Sequence, residues 1–150
     1  MVDSSHRPYP AGYRFSEQVG HLLRRAYQRH MGIFQQAIPD AQLTAAQFIT
    51  LCALRELGAS SLNDIVKFTA IDQATLRGIV DRLKVRELIT VAADPWDGRK
   101  VLVTNTPAGE DLIDQITPFG FQISEQTFGE LNPAERVALL FLLRKMIETD

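Results

Sequence analysis

From Ser61 to Asn105 the hydrophobic period switches from helical to strand-like in a fixed order, and no other stretch restricts the fold as tightly. The first segment, LNDIVKFTA, sets Leu62, Ile65, Val66 and Thr69 at i, i+3, i+4 and i+7, with Ser60 or Ser61 available as its N-cap. The second, IDQATLRGIVDRL, puts Leu76, Ile79, Val80 and Leu83 on one stripe that requires a core. The opposite face carries Ala74, Gly78, Asp81, Arg82 and Val85, with Arg77 on its flank. A mid-helix glycine costs about 1 kcal/mol against alanine. Gly78 therefore points either to close approach of a partner or to simple tolerance at an exposed site.

Two runs rich in β-branched residues follow, ITVAA and VLVTN, separated by the turn-forming DPWDGRK. They predict a β-hairpin. Helix, turn, helix and hairpin in that order form a winged helix-turn-helix, whose second helix suits the DNA major groove and whose hairpin-tip arginine suits the neighbouring minor groove. The run IDQATLRGIVDRLKVRELITVAADPWDGRKVLVTNTPAGEDLI resembles the core of the MarR family of bacterial transcriptional regulators, including Asp97-x-Arg99 at the wing and Thr106-x-x-Gly109 after the second strand. The resemblance runs from about Phe15 to the C-terminus.

With 150 residues and 45% hydrophobic content, the chain suits a single domain that needs no metal or disulfide. A net charge of -2 and a pI near 5.9 argue against gripping nucleic acid by bulk charge. Between Ser61 and Thr106 seven Lys/Arg face six Asp/Glu, whereas from Pro107 onward three face eight, so any DNA face must be a small shaped cluster. Neither a long apolar span nor an N-terminal signal core is present, which predicts a cytoplasmic protein. The single cysteine, Cys52, excludes an intrachain disulfide.

Residues 1–12 read as a mobile arm that can pack across a partner. A helix is predicted over 13–38, through Phe15, Val19, Leu22, Leu23, Ala26, Tyr27 and Phe34, and its apolar width suits burial in both its own chain and a second subunit. Leu43-Thr44-x-x-Gln47-Phe48 is a capping box with a hydrophobic staple, opening a helix that runs to Gly58 and carries Cys52 as a buried, inert thiol. Thr106-Pro107 opens a long helix kinked at Pro118, and Asn132-Pro133 with Glu135 opens a last helix containing VALLFLL, apolar nearly all round. The expected fold is thus mainly α with a small β-hairpin wing: a winged helix-turn-helix over 43–105, flanked by dimerisation helices at 13–38 and 107–150.

Gln73, Thr75 and Arg77 lie on the first turns of the recognition helix, placed for base edges, with Arg77 suited to bidentate guanine readout or, alternatively, plain solvation. Arg82 and Arg86 suit phosphates, as do Ser61 and Asn63 at a helix start. The resemblance implies that Arg99 enters the minor groove, with Asp97 holding its guanidinium and Lys100 adding a phosphate contact; a simple tip salt bridge is the alternative. Two positions depart from the family pattern. Glu87 stands where glycine is usual, which predicts a helix end without a left-handed cap, and Asn105 stands where leucine is common.

The resemblance also implies a small aromatic acid bound between dimerisation helices and winged helix, closest to regulators of nicotinate-type breakdown. Arg14, Gln18, His21 and Arg25 follow i, i+4, i+7 and i+11, and with Tyr13 they are candidates to hold a carboxylate and a ring substituent. No metal-ligand cluster, nucleophile motif or phosphate loop points to an enzyme, and no cofactor other than such an effector is implied. The predicted function is a homodimeric repressor released from a pseudo-palindromic operator by ligand. The alternatives are a protein-interaction module on a winged-helix scaffold and a redox-sensing regulator acting through Cys52.

Overall fold

A computed structural model describes residues 6–149. Helix α1 (Val19–Ala37) precedes α2 (Ala45–Leu57), α3 (Leu62–Thr69) and α4 (Gln73–Val85). Strands β1 (Ile89–Ala93) and β2 (Val101–Asn105) form the antiparallel hairpin, and α5 (Pro107–Ile116), α6 (Gly120–Phe128) and α7 (Pro133–Ile147) complete the chain. The register pairs Ile89 with Asn105 and Ala93 with Val101. Ser60 extends this small sheet, exchanging main-chain hydrogen bonds of 3.0 and 2.8 Å with Val103 on the free side of β2.

The core gathers around α2. Leu43, Leu51 and Leu54 are buried with Ile65 of α3, the whole Leu76, Ile79, Val80 and Leu83 stripe of α4, Val103 of β2, and Leu112, Ile113 and Ile116 of α5. Local chemistry sets the helix starts. Capping boxes form at Thr44/Gln47, Ser61/Asp64 and Asn132/Glu135, and Thr106 accepts from the Gly109 amide. Among the described residues no helix is long and apolar enough to cross a membrane, and no group of three or more His, Cys, Asp or Glu is placed to hold a metal.

The N-terminal expectation needs correction. Residues 1–5 of the predicted arm lie outside the described residues, and Pro10–Gly12 and Phe15–Glu17 form separate 3-10 turns. The helix predicted from Tyr13 begins only at Val19, because Gln18 is extended at ψ 141° and its side chain turns back to donate to the Arg14 carbonyl at 2.9 Å. At the other end the long helix is interrupted at Pro118, as expected, by a 3-10 turn at Thr117–Phe119 between α5 and α6, with the backbone remaining right-handed helical at Ile116, Thr117 and Gly120.

Glu87 overturns a second expectation. It adopts φ 60°, left-handed despite its side chain. The Leu88 amide donates to the Leu83 carbonyl at 3.0 Å and the Glu87 amide to that of Lys84 at 2.9 Å, the Schellman pattern that usually employs glycine. Thr106 fastens this junction, its hydroxyl donating to the Glu87 carbonyl at 2.7 Å and its amide to that of Leu88 at 3.0 Å. Gly109 is required by close packing: a Cβ there would sit 2.2 Å from the Leu88 carbonyl oxygen. The Thr106-x-x-Gly109 pattern thus lets α5 start directly against the end of the recognition helix.

Helix α7 is the outlier in packing. None of its residues is buried, and Val137, Phe141, Leu142, Met146 and Ile147 are exposed, as are Val19, Leu22, Leu23, Tyr27 and Met31 of α1. Arg136 ties its first turn to α6, pairing with Glu125 and lying 5.3 Å over the Phe128 ring. Two opposite changes in stability follow from the junction. Glu87→Gly relieves left-handed strain and raises unfolding free energy by about 1 kcal/mol, whereas Gly109→Ala lowers it by about 1–3 kcal/mol through main-chain overpacking. Chemical denaturation of both variants measures the two signs.

Candidate nucleic-acid interface

Helix α4 is presented by its own start. The Asp72 carboxylate accepts from the Thr75 amide at 2.9 Å and the Thr75 hydroxyl at 2.7 Å. These two bonds hold Asp72 below the usual carboxylate range. The Asp72 carboxylate thus caps this helix N-terminus, and the outward side chains of the first turns are what the helix presents to solvent. Gln73 and Arg77 are exposed there. Thr75 is exposed too, but its proton is committed to Asp72, which leaves its methyl group and lone pairs facing outward.

One groove joins the start of α3, the start of α4 and the wing. Ser61, Asn63, Gln73, Arg99 and Lys100 line it, together with Lys67, which sequence reasoning passed over. Lys67 belongs to the exposed face of an amphipathic helix, and only the wing's arrival beside that face marks it. In the Ser61/Asp64 capping box the Ser61 oxygen accepts from the Asp64 amide at 3.2 Å, and the Ser61 hydroxyl and amide hold the Asp64 carboxyl, which also lines this groove, below the usual carboxylate range. A second groove, between α4 and the hairpin, is lined by Arg77 and Lys84 over Val91, Val101 and Val103.

The hairpin tip differs from its expected chemistry. Asp97 Oδ1 accepts from the Arg99 amide at 3.1 Å, and Asp94 Oδ1 from the Trp96 amide at 2.8 Å, so both carboxylates hold main chain. Among the described residues Asp97 forms no ion pair with Arg99, which stays exposed, as does Lys100.

Arg86 is not the free phosphate contact it was expected to be. Its Nη2 pairs with Asp40 Oδ2 at 2.7 Å, with side-chain exposures of 30% and 20%, tying the end of α4 to the loop before α2. Burial alone would raise the Asp40 carboxyl, but Arg86 and the Gln42 and Leu43 amides outweigh it and leave it lowered. Arg82 remains exposed.

Asn105 closes a polar network behind the wing. Its amide donates to the Leu51 carbonyl at 2.9 Å and to Glu110 Oε1 at 3.0 Å, while Arg55 pairs with Glu110 at 2.6 Å and Asp114 at 2.8 Å. Asn105 and Arg55 together hold the Glu110 carboxyl below its usual range. A leucine at 105 can make none of these bonds.

The candidate effector residues do not share a helical face, since Tyr13, Arg14 and Gln18 precede α1 while His21 and Arg25 lie on it. Arg14 pairs with Glu17 at 3.4 Å in an exposed position. Turn and helix start do bring rings together: Phe15 lies 4.6 Å from His21, and Tyr9 lies 5.3 Å edge-on to Tyr13. Sequence spacing missed Phe15 as a neighbour of His21 because it assumed a continuous helix from Tyr13, and Tyr9 because it was read as part of a mobile arm.

A helix-turn-helix whose N-terminal turns share a groove with a wing bearing Arg99 and Lys100 defines a winged-helix DNA-binding protein. The MarR family model matches residues 43–101. The HTH-type transcriptional repressor NicR of Pseudomonas putida is 59% identical over 138 residues, covering 92% of this chain and 87% of NicR. A solved structure of Bordetella bronchiseptica BpsR, whose DNA binding is regulated by 6-hydroxynicotinic acid, aligns with TM-score 0.83 and 66% identity over 92% of this chain and 99% of that one. A cysteine-to-serine mutant of Escherichia coli MarR, complexed with operator DNA, aligns with TM-score 0.80 and 26% identity over 89% of this chain and 98% of that one. The chain belongs to the MarR family.

Cys52 lies half-buried on α2, and desolvation there, opposed by Arg55 and reinforced by Glu56 and Glu110, pushes its thiol up to about 11. A thiol so protonated is a poor nucleophile at neutral pH, which argues against the redox alternative. Iodoacetamide should label the folded protein about a hundredfold more slowly at pH 8 than the urea-unfolded chain. Labelling should rise with pH until about 11, where the thiolate predominates; equal rates in both states would refute the assigned environment.

Proposed function

We propose that this chain is a homodimeric transcriptional repressor that binds a pseudo-palindromic operator and releases it on binding a nicotinate-type aromatic acid. The observation that carries the reading is the single groove in which Ser61, Asn63, Lys67, Gln73, Arg99 and Lys100 converge from α3, α4 and the wing. In this arrangement Gln73, Thr75 and Arg77 face base edges, Arg82 and Lys100 face phosphates, and Arg99 enters the adjacent minor groove with no intrachain carboxylate to release first. Asp97 contributes by shaping the turn.

The exposed apolar faces of α1 and α7 support dimerisation, since a lone chain would leave them in water. Two recognition helices then meet half-sites about one helical turn apart, roughly 34 Å. The wing is linked to α5 through Asn105, Thr106 and Glu110, so a ligand that shifts the dimer layer changes the separation of the two readers. A carboxylated aromatic ring is the ligand class the family resemblance implies for Tyr13, Arg14, Gln18, His21 and Arg25 around the entry to α1, where the Phe15 ring lies beside His21. The effect of 6-hydroxynicotinic acid on BpsR supports that chemical class. A cytoplasmic site of action accords with this function.

A salt titration on the upstream intergenic DNA tests the reading. Wild type should prefer its operator over unrelated DNA by ~10³ or more, and Arg99→Ala should reduce operator affinity by about 1–3 kcal/mol while lowering the salt slope by about one. Equal, weak binding of wild type to operator and unrelated duplexes would overturn it. Saturating 6-hydroxynicotinic acid should weaken operator binding, and operator should weaken ligand binding by the same factor; ligand binding with unchanged operator affinity would defeat the proposed coupling.

A further inference from the structure

Trp96 is the only tryptophan in the chain and sits at the hairpin tip with 95% of its surface exposed. Among the described residues it stacks on no aromatic ring and lies under no guanidinium. An indole left wholly in water is a large unsatisfied apolar surface on a loop that is otherwise polar.

The loop's own hydrogen bonds fix the main chain that carries that surface. The Asp94 amide donates to the Lys100 carbonyl at 2.9 Å and the Lys100 amide to the Asp97 carbonyl at 3.0 Å, closing the loop on itself. Within it the Asp94 carboxylate holds the Trp96 amide and the Asp97 carboxylate the Arg99 amide, at 2.8 and 3.1 Å. Trp96 and Arg99 are therefore mounted on one hydrogen-bonded turn, and Arg99 and Lys100 continue into the groove lined by Ser61, Asn63, Lys67 and Gln73. The tip has no net charge, since Asp94 and Asp97 balance Arg99 and Lys100. Charge alone supplies little attraction to phosphates there, and a desolvated contact is what the turn adds.

We propose that Trp96 is a DNA-contacting residue whose indole packs on the deoxyribose wall of the groove that Arg99 enters. Sugar rings present apolar C–H faces bordered by phosphate oxygens, and an indole matches both with its flat face and its single N–H donor. The proposal rests on the operator-binding function given above. It assigns to the wing a neutral contribution to affinity, separate from the cationic one of Arg99.

The lone tryptophan supplies its own probe. Wild type is titrated with operator duplex while binding is followed by anisotropy of a labelled strand, and indole emission and acrylamide quenching are read on the same samples. Saturation should shift emission to the blue and lower the quenching constant at least about twofold, as burial of half the indole requires. Trp96→Ala should weaken operator binding about tenfold with the slope of log affinity against log salt unchanged, because no charge is lost, and Trp96→Phe should recover most of the affinity. The residue is exposed, so both variants should melt as wild type does. Unchanged emission and quenching at saturation, or wild-type affinity in Trp96→Ala, overturns the proposal while leaving the regulator function standing. Absence of wild-type binding by anisotropy overturns both.

Discussion

The contact on which the rest of this structure depends is the one between the Leu88 carbonyl and the start of α5. That oxygen accepts the Thr106 amide and lies where a Cβ on residue 109 would have to be, so the end of the recognition helix and the start of α5 are joined with no side chain between them. The Thr106 hydroxyl closes the same junction on Glu87. Because the hairpin leaves from Leu88 and returns at Thr106, its two strands are anchored at one point. Helix α4, the wing and α5 are therefore joined at one place rather than through three separate hinges.

Around that junction, α2 acts as a spine that is apolar on one side and polar on another. Leu51 and Leu54 fill the core, while the Leu51 carbonyl and the Arg55 guanidinium face Asn105, Glu110 and Asp114. Exposed ion pairs of this kind contribute little to stability one by one. Their value lies in direction, since a guanidinium bridging Glu110 and Asp114 and a planar amide accept only a narrow range of positions for α2 and β2 against α5. At the far side Ser60 performs the same service for the free edge of β2, and Arg86 with Asp40 secures the far end of α4.

What could be read from the sequence was what neighbouring residues decide. The capping boxes at Thr44/Gln47 and Asn132/Glu135, the buried stripe of α4 and the bounds of both strands follow from spacings of a few residues, and the structure reproduces them. The family resemblance added the wing arginine. What was not legible depends on residues distant in sequence: Asp40 taking Arg86 from the DNA face, Glu87 forced into a left-handed turn by what Thr106 and Gly109 demand, Lys67 brought beside the wing. The start of α1 failed for a different reason. Apolar spacing continues unbroken through Tyr13 and Phe15, and Gln18 caps nothing with its side chain, so no local mark shows where the helix begins.

The hairpin tip separates shape from surface. Asp94 and Asp97 spend their oxygens on main-chain amides, and the loop closes through carbonyls, so the form of the turn owes nothing to the side chains at 96, 99 and 100. It works as a mount with interchangeable fittings. As operators drift, those three positions can be exchanged for others that suit the new groove without unsettling the fold that carries them, whereas the aspartates beneath are held in place by architecture alone. Ionic strength divides along the same line, weakening the grip of the cations on DNA while leaving the posture of the wing untouched.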